Sequence, residues 1–433
     1  MLATTEIIAK KRRRQELSAG EIEAVVAGFV RGDVSEGQMG ALLMAILLNG
    51  MTSQECADLT RAMLNSGERL DLSHLPGTTV DKHSTGGVGD KTTLVVAPLV
   101  AAFGVPVPKM SGRALGHTGG TIDKLEAIPN LTTALSPERF CRQVAEIGVA
   151  IAAQTAQMVP ADKKIYSLRD ATATVESIPL IASSIMSKKL AVGADAILLD
   201  VKVGAGAFLP EADRAEELAR TMVDIGARTG HHTVALVTRM DQPLGRTVGD
   251  AVELAEAIAT LQGRGPADFA ELCEIIAGHM LALGGAADSP DAGRAAARQG
   301  LASGKGLPKL QELIAAQGGS PDIVNNPEAL TQDTERVPVI LPQAGRITAI
   351  DSRQLGLAVR DLKREAGDRS HSCGVLIHAK VGEEVAEQPA ATVVVPAGTA
   401  AVAQPIIDRV RKAFRVGDSV PPKQSLLLSV VGS

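Results

Sequence analysis

Apolar residues recur at helical spacing through the first 70 positions. Three of these runs open on a hydroxyl residue with Glu or Gln three places later: Ser18–Glu21, Ser35–Gln38 and Thr52–Glu55. A hydroxyl that caps the amide three residues on, and a carboxylate or amide that reaches back, mark helix starts. The pattern therefore predicts a helical unit over residues 1–70. Residues 41–48 (ALLMAILL) are apolar on every face, which suits a helix buried at an interface as well as one in a core. A homodimer formed through these N-terminal helices is expected.

From about residue 78 the period changes. Short apolar or β-branched runs at 78–80, 105–110, 149–154, 196–203 and 233–239 alternate with helical patterns such as 211–228 and 251–262. That alternation predicts a mostly parallel sheet covered by helices. A helical stretch at 178–192 interrupts it, and residues 161–193 are expected to pack back onto the first helices. Helices dominate from 266 to about 318. After about 335, Val/Ile runs separated by Gly and Pro turns, with one helix near 404–414, predict a further unit. The expected fold class is α/β, in three parts. These are a small all-helical domain (1–70, joined by 161–193), a large α/β domain with a mostly parallel sheet (78–155 and 195–330) and a C-terminal α+β domain (335–433).

Composition narrows the classes. The chain has 433 residues, 45% of them hydrophobic, enough for substantial cores. No apolar run reaches the roughly 18 residues of a membrane span, and MLATTEIIAKKRRR lacks the apolar centre of a signal peptide. A cytoplasmic protein with no membrane partner is expected. Cys56, Cys141, Cys273 and Cys373 lie far apart without a CxxC pair and read as buried apolar residues. A net charge of −5, no Trp and a single Tyr leave neither a basic stripe nor a stacking platform for nucleic acid. The basic run Lys10–Arg14 reads as the solvated face of a first helix.

Two glycine-rich loops carry the chemistry. SGRALGHTGGTIDKLE at 111–126 sets three freely turning glycines (Gly116, Gly119, Gly120) among Ser111, Thr118 and Thr121, with Arg113, His117, Asp123 and Glu126. KHSTGGVGDK at 82–91 repeats the theme. Glycines let amides approach an anion, and hydroxyls add donors without bulk. Both loops follow expected strands, as ligand loops of open parallel sheets do, and a helix from Thr92 turns its positive end toward the first. A Walker A loop would need Gly at 85 and 90, where Thr85 and Asp90 stand, and neither loop fits GxGxxG with a ribose-binding acid. A small phosphate is favoured over ATP or NAD. A second cluster, YSLRDATATVESIPLIASSIMSKK at 166–189, places Ser184 and Lys188 on one helix face with Arg169 upstream. An Arg, a Ser and a Lys together suit an electron-rich ring bearing carbonyl oxygens, although each singly reads as a solvated charge or an ordinary helix residue. Asp81, Asp123 and Glu126 are candidates to orient Lys82, His83 or Arg113. No metal-ligand spacing and no GxSxG elbow is present.

These strings, with PADKKIYSLRDATATVESIPLIASSIMSKKLAVGADAILLDVKVGAGAF and MDQPLGRTVGDAVELAEAI, resemble the thymidine and pyrimidine-nucleoside phosphorylases. The resemblance implies reversible phosphorolysis of a pyrimidine nucleoside to free base and an α-pentose 1-phosphate, with phosphate as co-substrate and no organic cofactor. It implies phosphate contacts from Lys82, His83, Ser84, Thr93, Lys109, Met110, Ser111 and Thr121. The base contacts it implies are Tyr166, Arg169, Ser184 and Lys188, with His83, Arg169, Ser184 and Lys188 in catalytic roles. Lys109 in PKMSGR resembles the broad-specificity pyrimidine enzymes, so uridine, deoxyuridine and thymidine are the expected substrates, with strict thymidine use as the alternative. Some members hold K⁺ at positions matching Gly89, Lys91, Leu244, Thr247 and Glu256, so K⁺ is a candidate ligand; position 91 is Lys where those members carry Thr, and either the site survives through its backbone carbonyls or the ammonium replaces the ion. SGRAL stands for the usual SGRGL, and LAVRDLKREAGDRSHSC lacks the usual glycine-rich segment. A phosphoribosyltransferase of related fold, or a binding protein without catalysis, are the alternatives from other classes.

Overall fold

In the computed structural model, described over residues 3–432 apart from positions 115, 156, 401, 402, 420 and 423, the N-terminal unit is four helices: α1 (Thr4–Arg12), α2 (Ala19–Arg31), α3 (Glu36–Asn49) and α4 (Ser53–Leu64). The three hydroxyl caps form as read, with Ser18, Ser35 and Thr52 each accepting from the amide three residues on. The basic run departs from expectation at Lys11. Its side chain is buried, and its ammonium lies 2.8 Å from both oxygens of Glu55. Glu55 also accepts from the Leu17 and Thr52 amides, so this one pair ties α1 to the start of α4. A buried ion pair of this kind is costly to break on one side.

The α/β unit follows as β1 (Val80–Ser84), α5 (Thr92–Ala101), β2 (Val107–Ser111), α6 (Thr121–Leu125), α7 (Pro137–Ile147) and β3 (Val149–Ala153). The chain then runs through α8 (Pro160–Ala171) and α9 (Ile178–Val192) before β4 (Ala196–Val203), α10 (Ala212–Arg228) and β5 (His232–Arg239). Strands β1, β4 and β5 pair in parallel, as do β2 and β3. The Val80 amide donates to the Pro106 carbonyl at 3.0 Å, where β2 approaches β1. Helices α8 and α9 share one apolar core with α1–α4, and the same core takes in residues of β4, α10 and β5.

The first strand lies later than the apolar run indicated. It covers Val80–Ser84, so Lys82, His83 and Ser84 stand on a strand and not in a loop. Parallel pairing with β4 over all five residues, and the burial of Asp81 and Lys82, outweigh the poor strand propensity of a polar stretch. Alternation then sends Asp81 and His83 to one face and Lys82 and Ser84 to the other.

Beyond β6 (Thr247–Val248) come α11 (Asp250–Leu261), α12 (Ala267–Leu283), α13 (Pro290–Ala302) and α14 (Leu307–Ala316). The C-terminal unit holds β7 (Thr334–Val339), β8 (Gly345–Ile350), α15 (Ser352–Ala366), β9 (Gly374–Ile377), β10 (Glu384–Val385), β11 (Ala391–Pro396), α16 (Gln404–Lys412) and β12 (Phe414–Gly417). The last strand, β13 (Leu427–Val431), falls within the residues read as that unit. It pairs antiparallel with β5 at the edge of the central sheet. In return β6 pairs with β9 of the C-terminal sheet, so the two units exchange strands.

Candidate active site

The pleat of β1 divides the site. On one face Lys82 is buried, donates to Thr92 Oγ1 at 2.7 Å and lies 3.4 Å from Asp200. Asp90 gathers the first glycine loop by accepting from the Ser84 hydroxyl, the Thr92 amide at 3.1 Å and the Thr92 hydroxyl at 2.6 Å. Burial opposes its charge, but Lys82, Lys202 and these hydroxyls together hold the carboxyl well below the usual range. Thr93, in the first turn of α5, is buried beside them.

On the other face Asp81 takes Lys189 at 2.7 Å and Lys109 at 4.0 Å. Both ammonium groups also donate to the Met110 carbonyl, at 3.0 and 2.9 Å. Of the three carboxylates read as partners for Lys82, His83 or Arg113, Asp81 instead orients Lys189 and Lys109, while Asp123 and Glu126 do take Arg113. Burial, with Lys189 beside it, pushes the Lys109 ammonium well below its ordinary value. His83 shares this face, and burial followed by the positive field of Lys189, Lys109, Lys188 and Lys82 drives its pKa well below 6.5.

The second loop leaves β2 at Ser111 and enters α6 at Thr121, both partly buried. Asp123 and Glu126 hold Arg113 at 3.2 and 2.6 Å, and Asp123 also accepts from the Ala114 amide at 2.6 Å. These carboxylates shape the loop. The two glycine loops meet at Phe208: a methyl built on Gly86 would stand 3.3 Å from its ring, and one on Gly116 3.6 Å. His117 also packs on that ring, with centroids 5.3 Å apart. Its carbonyl is pressed by α15, where a methyl on Gly356 would lie 2.0 Å away.

The second cluster assembles on α8 and α9. Lys188 donates to Ser184 Oγ at 2.8 Å and to Asp162 at 2.5 Å. Asp162 is a partner the sequence did not single out, because an acid in the first turn of a helix reads as a dipole charge. Arg169 is almost wholly buried and donates to the carbonyls of Thr174 at 3.3 Å, Leu180 at 3.1 Å and Val175 at 2.6 Å. The Tyr166 ring lies 5.5 Å from its guanidinium carbon. Other partners missed in the sequence are Lys202, 2.7 Å from Asp200, and Lys124, 2.8 Å from Glu253. Both look like ordinary strand or helix charges until the fold buries them.

The cysteines take no part. Cys56, Cys273 and Cys373 are buried, while Cys141 is only partly so. Burial raises every thiol, Cys56 to about 12. Among the described residues no helix is long and apolar enough to cross a membrane.

Residues 76–307 match the model of the a/b domain of a glycosyl transferase family, and residues 5–67 match its helical bundle domain. The chain belongs to this family. It is 46% identical over 384 residues to a pyrimidine-nucleoside phosphorylase of Geobacillus stearothermophilus, and 48% identical over 386 residues to that of Bacillus subtilis. Each match covers 88% of this chain and 89% of the relative. The solved anthranilate phosphoribosyltransferase of Thermus thermophilus matches with a TM-score of 0.58 at 24% identity, over 72% of this chain and 98% of that one. That likeness concerns the fold.

The five positions linked by resemblance to K⁺ do converge, but around a side chain. The Lys91 ammonium donates to the Leu244 carbonyl at 2.7 Å and the Thr247 carbonyl at 3.4 Å, and it pairs with Glu256. A methyl on Gly89 would stand 2.6 Å from the same Leu244 carbonyl. Leu244, Thr247 and Glu256 all spend oxygens on Lys91, so this set does not fit a bound ion.

Proposed function

We propose that the chain catalyses the reversible phosphorolysis of pyrimidine nucleosides, uridine and deoxyuridine as well as thymidine, to free base and an α-pentose 1-phosphate. The observation that carries this reading is that His83, on β1 between Lys82 and Ser84, lies in the field of Lys109 and Lys189 as well as of Lys188, which donates to Ser184 on α9.

On this reading Lys82, Ser84, Thr93, Lys109, Ser111 and Thr121 surround phosphate, with His83 and the Met110 main chain beside it. A phosphate oxygen attacks C1′ while the glycosidic bond breaks, and the bonding pair leaves with the base. Lys188 and Arg169 meet the charge that develops on the ring and its carbonyl oxygens, which is the main electrostatic contribution. Arg169 spends three of its five N–H donors on main-chain carbonyls. Two remain for the base, with Tyr166 against the guanidinium and Ser184 supplying a hydroxyl. His83, its pKa lowered by burial and the surrounding lysines, serves as a hydrogen-bond partner of the base or phosphate. Holding both reactants between the helical and α/β units supplies proximity.

A second copy of the chain is the expected partner of α3, which exposes Met44 and Leu48 one turn apart. Sedimentation at micromolar concentration tests the dimer. The activity is tested by following base release from thymidine, uridine and deoxyuridine in parallel, with phosphate and no divalent metal. Release of uracil and thymine at comparable kcat/KM is expected. Thymine alone would assign a strict thymidine enzyme. No release without Mg²⁺ and pyrophosphate chemistry would favour a phosphoribosyltransferase, and binding without release a non-catalytic protein.

A further inference from the structure

The side chain of Lys91 has no exposed surface, yet it ends in a cage of oxygens and not beside a substrate face. Its ammonium is met by two main-chain carbonyls, those of Leu244 and Thr247, by the Glu256 carboxylate, and by the Phe269 ring at 4.9 Å. Glu256 is fixed in turn by the Arg246 amide at 2.9 Å and the Thr247 hydroxyl at 3.0 Å. The chain bends tightly around this group. Gly245 has φ +69, and a methyl there would stand 2.6 Å from the Lys91 nitrogen. Carbonyls, a carboxylate and an aromatic face are the surroundings of a monovalent cation, and here the cation is covalently attached.

The cage lies where three parts of the chain are joined. Lys91 ends the first glycine loop and directly precedes Thr92, which Lys82 and Asp90 hold. The Leu244 amide donates to the Val88 carbonyl at 3.1 Å, closing the same loop against residues 244–247. That segment is gripped from the C-terminal unit. Lys380 donates to the Gly245 carbonyl at 2.7 Å and pairs with Asp268 at 2.9 Å, and the Ile377 amide donates to the Arg246 carbonyl at 2.7 Å. A cation at this joint bears on the position of Asp90, Thr92 and Thr93 without touching phosphate.

We propose that the Lys91 ammonium is a tethered substitute for a monovalent metal ion, which makes this enzyme independent of K⁺ and makes Lys91 a positioning residue for the first glycine loop. A tethered cation needs no ion from solution and loses no binding entropy. The cost is that the site cannot be emptied or regulated by the ion.

The test compares the wild type with Lys91→Thr, which removes the ammonium and restores a small oxygen ligand. Both are assayed in tetramethylammonium phosphate and again with KCl replacing tetramethylammonium chloride at equal ionic strength. The wild type is expected to change by less than about twofold in kcat/KM and to show no K⁺-specific shift in Tm. Lys91→Thr is expected to lose at least about tenfold in kcat/KM without K⁺. K⁺, but not Li⁺, should recover most of that loss and raise the variant's Tm, as binding to the folded state requires. Activation or stabilisation of the wild type by K⁺ overturns the proposal, as does a Lys91→Thr variant whose activity and Tm ignore K⁺. Should that variant not fold, the wild-type comparison decides alone. The activity arm rests on the phosphorolysis reading. The Tm arm needs no substrate, so a protein inactive on nucleosides still tests the cation.

Discussion

Lys188 and Asp162 meet at 2.5 Å across two helices, with the second donor contact of Lys188 made to Ser184. Asp162 is itself nearly buried, so the pair is anchored rather than loosely solvated. The carboxylate holds the ammonium beside the Ser184 hydroxyl of α9. Lys188→Ala removes the cation itself and leaves Asp162 unpaired, so a fall in Tm is expected together with a loss of about 100- to 1,000-fold in kcat that persists well below the variant's melting temperature. Asp162→Asn keeps the shape but loosens the ammonium. Its expected signature is a smaller loss, about tenfold, borne by kcat with KM for phosphate unchanged. Equal loss on both parameters, or a loss explained by a lower Tm, would assign Asp162 to the fold alone. Steady-state kinetics beside thermal melts separates these outcomes.

Arg169 answers differently, because its guanidinium supports the backbone as well as the site. Its three carbonyl partners at 174, 175 and 180 form the turn that launches α9. Arg169→Lys keeps a positive charge but not the planar fork. It leaves at least one buried carbonyl unpaired, at about 1–3 kcal/mol each. A clear fall in Tm together with at least about tenfold lower kcat/KM is expected. A variant with wild-type Tm would show that these carbonyls find other donors.

The helical unit was legible in the sequence because its signals are local. Caps at Ser18, Ser35 and Thr52, and the helix at 178–192, depend on residues a few positions apart. The two glycine loops were legible for the same reason. What escaped is non-local. Lys82, His83 and Ser84 read as loop because nothing nearby shows that β4 will pair with them. Lys11 reads as solvated until Glu55, 44 residues away, is brought against it. Asp162 gains meaning only when α9 folds beside α8, and β13 joins the central sheet from the far end of the chain. Lys91 was visible as a departure from a pattern with two readings, a surviving ion site or an ammonium in its place, and the converging carbonyls favour the second.

The contact between the C-terminal unit and α11 carries a pH dependence whose sign is fixed by its geometry. Asp250 accepts from Lys363 and lies 3.0 Å from the His371 ring nitrogen. The hydrogen bond to Asp250 raises the His371 pKa above 6.5 despite partial burial. Burial opposes the charge of Asp250, but His371 and Lys363 outweigh it and hold the carboxyl below its ordinary value. Because the folded His371 value is raised, its contribution is fully present below the unfolded value near 6.5 and is lost as pH rises through the folded value. Asp250 gives the opposite limb, present above the ordinary carboxylate value and lost in acid. His371 is more than a third exposed, so screening keeps the effect small. His371→Gln should therefore lower Tm at about pH 6, and the difference from wild type should shrink steadily as pH is raised above the folded value. Melts of both proteins across that range check it: a difference that stays constant or grows with pH would mean that the charged pair does not hold the two units together.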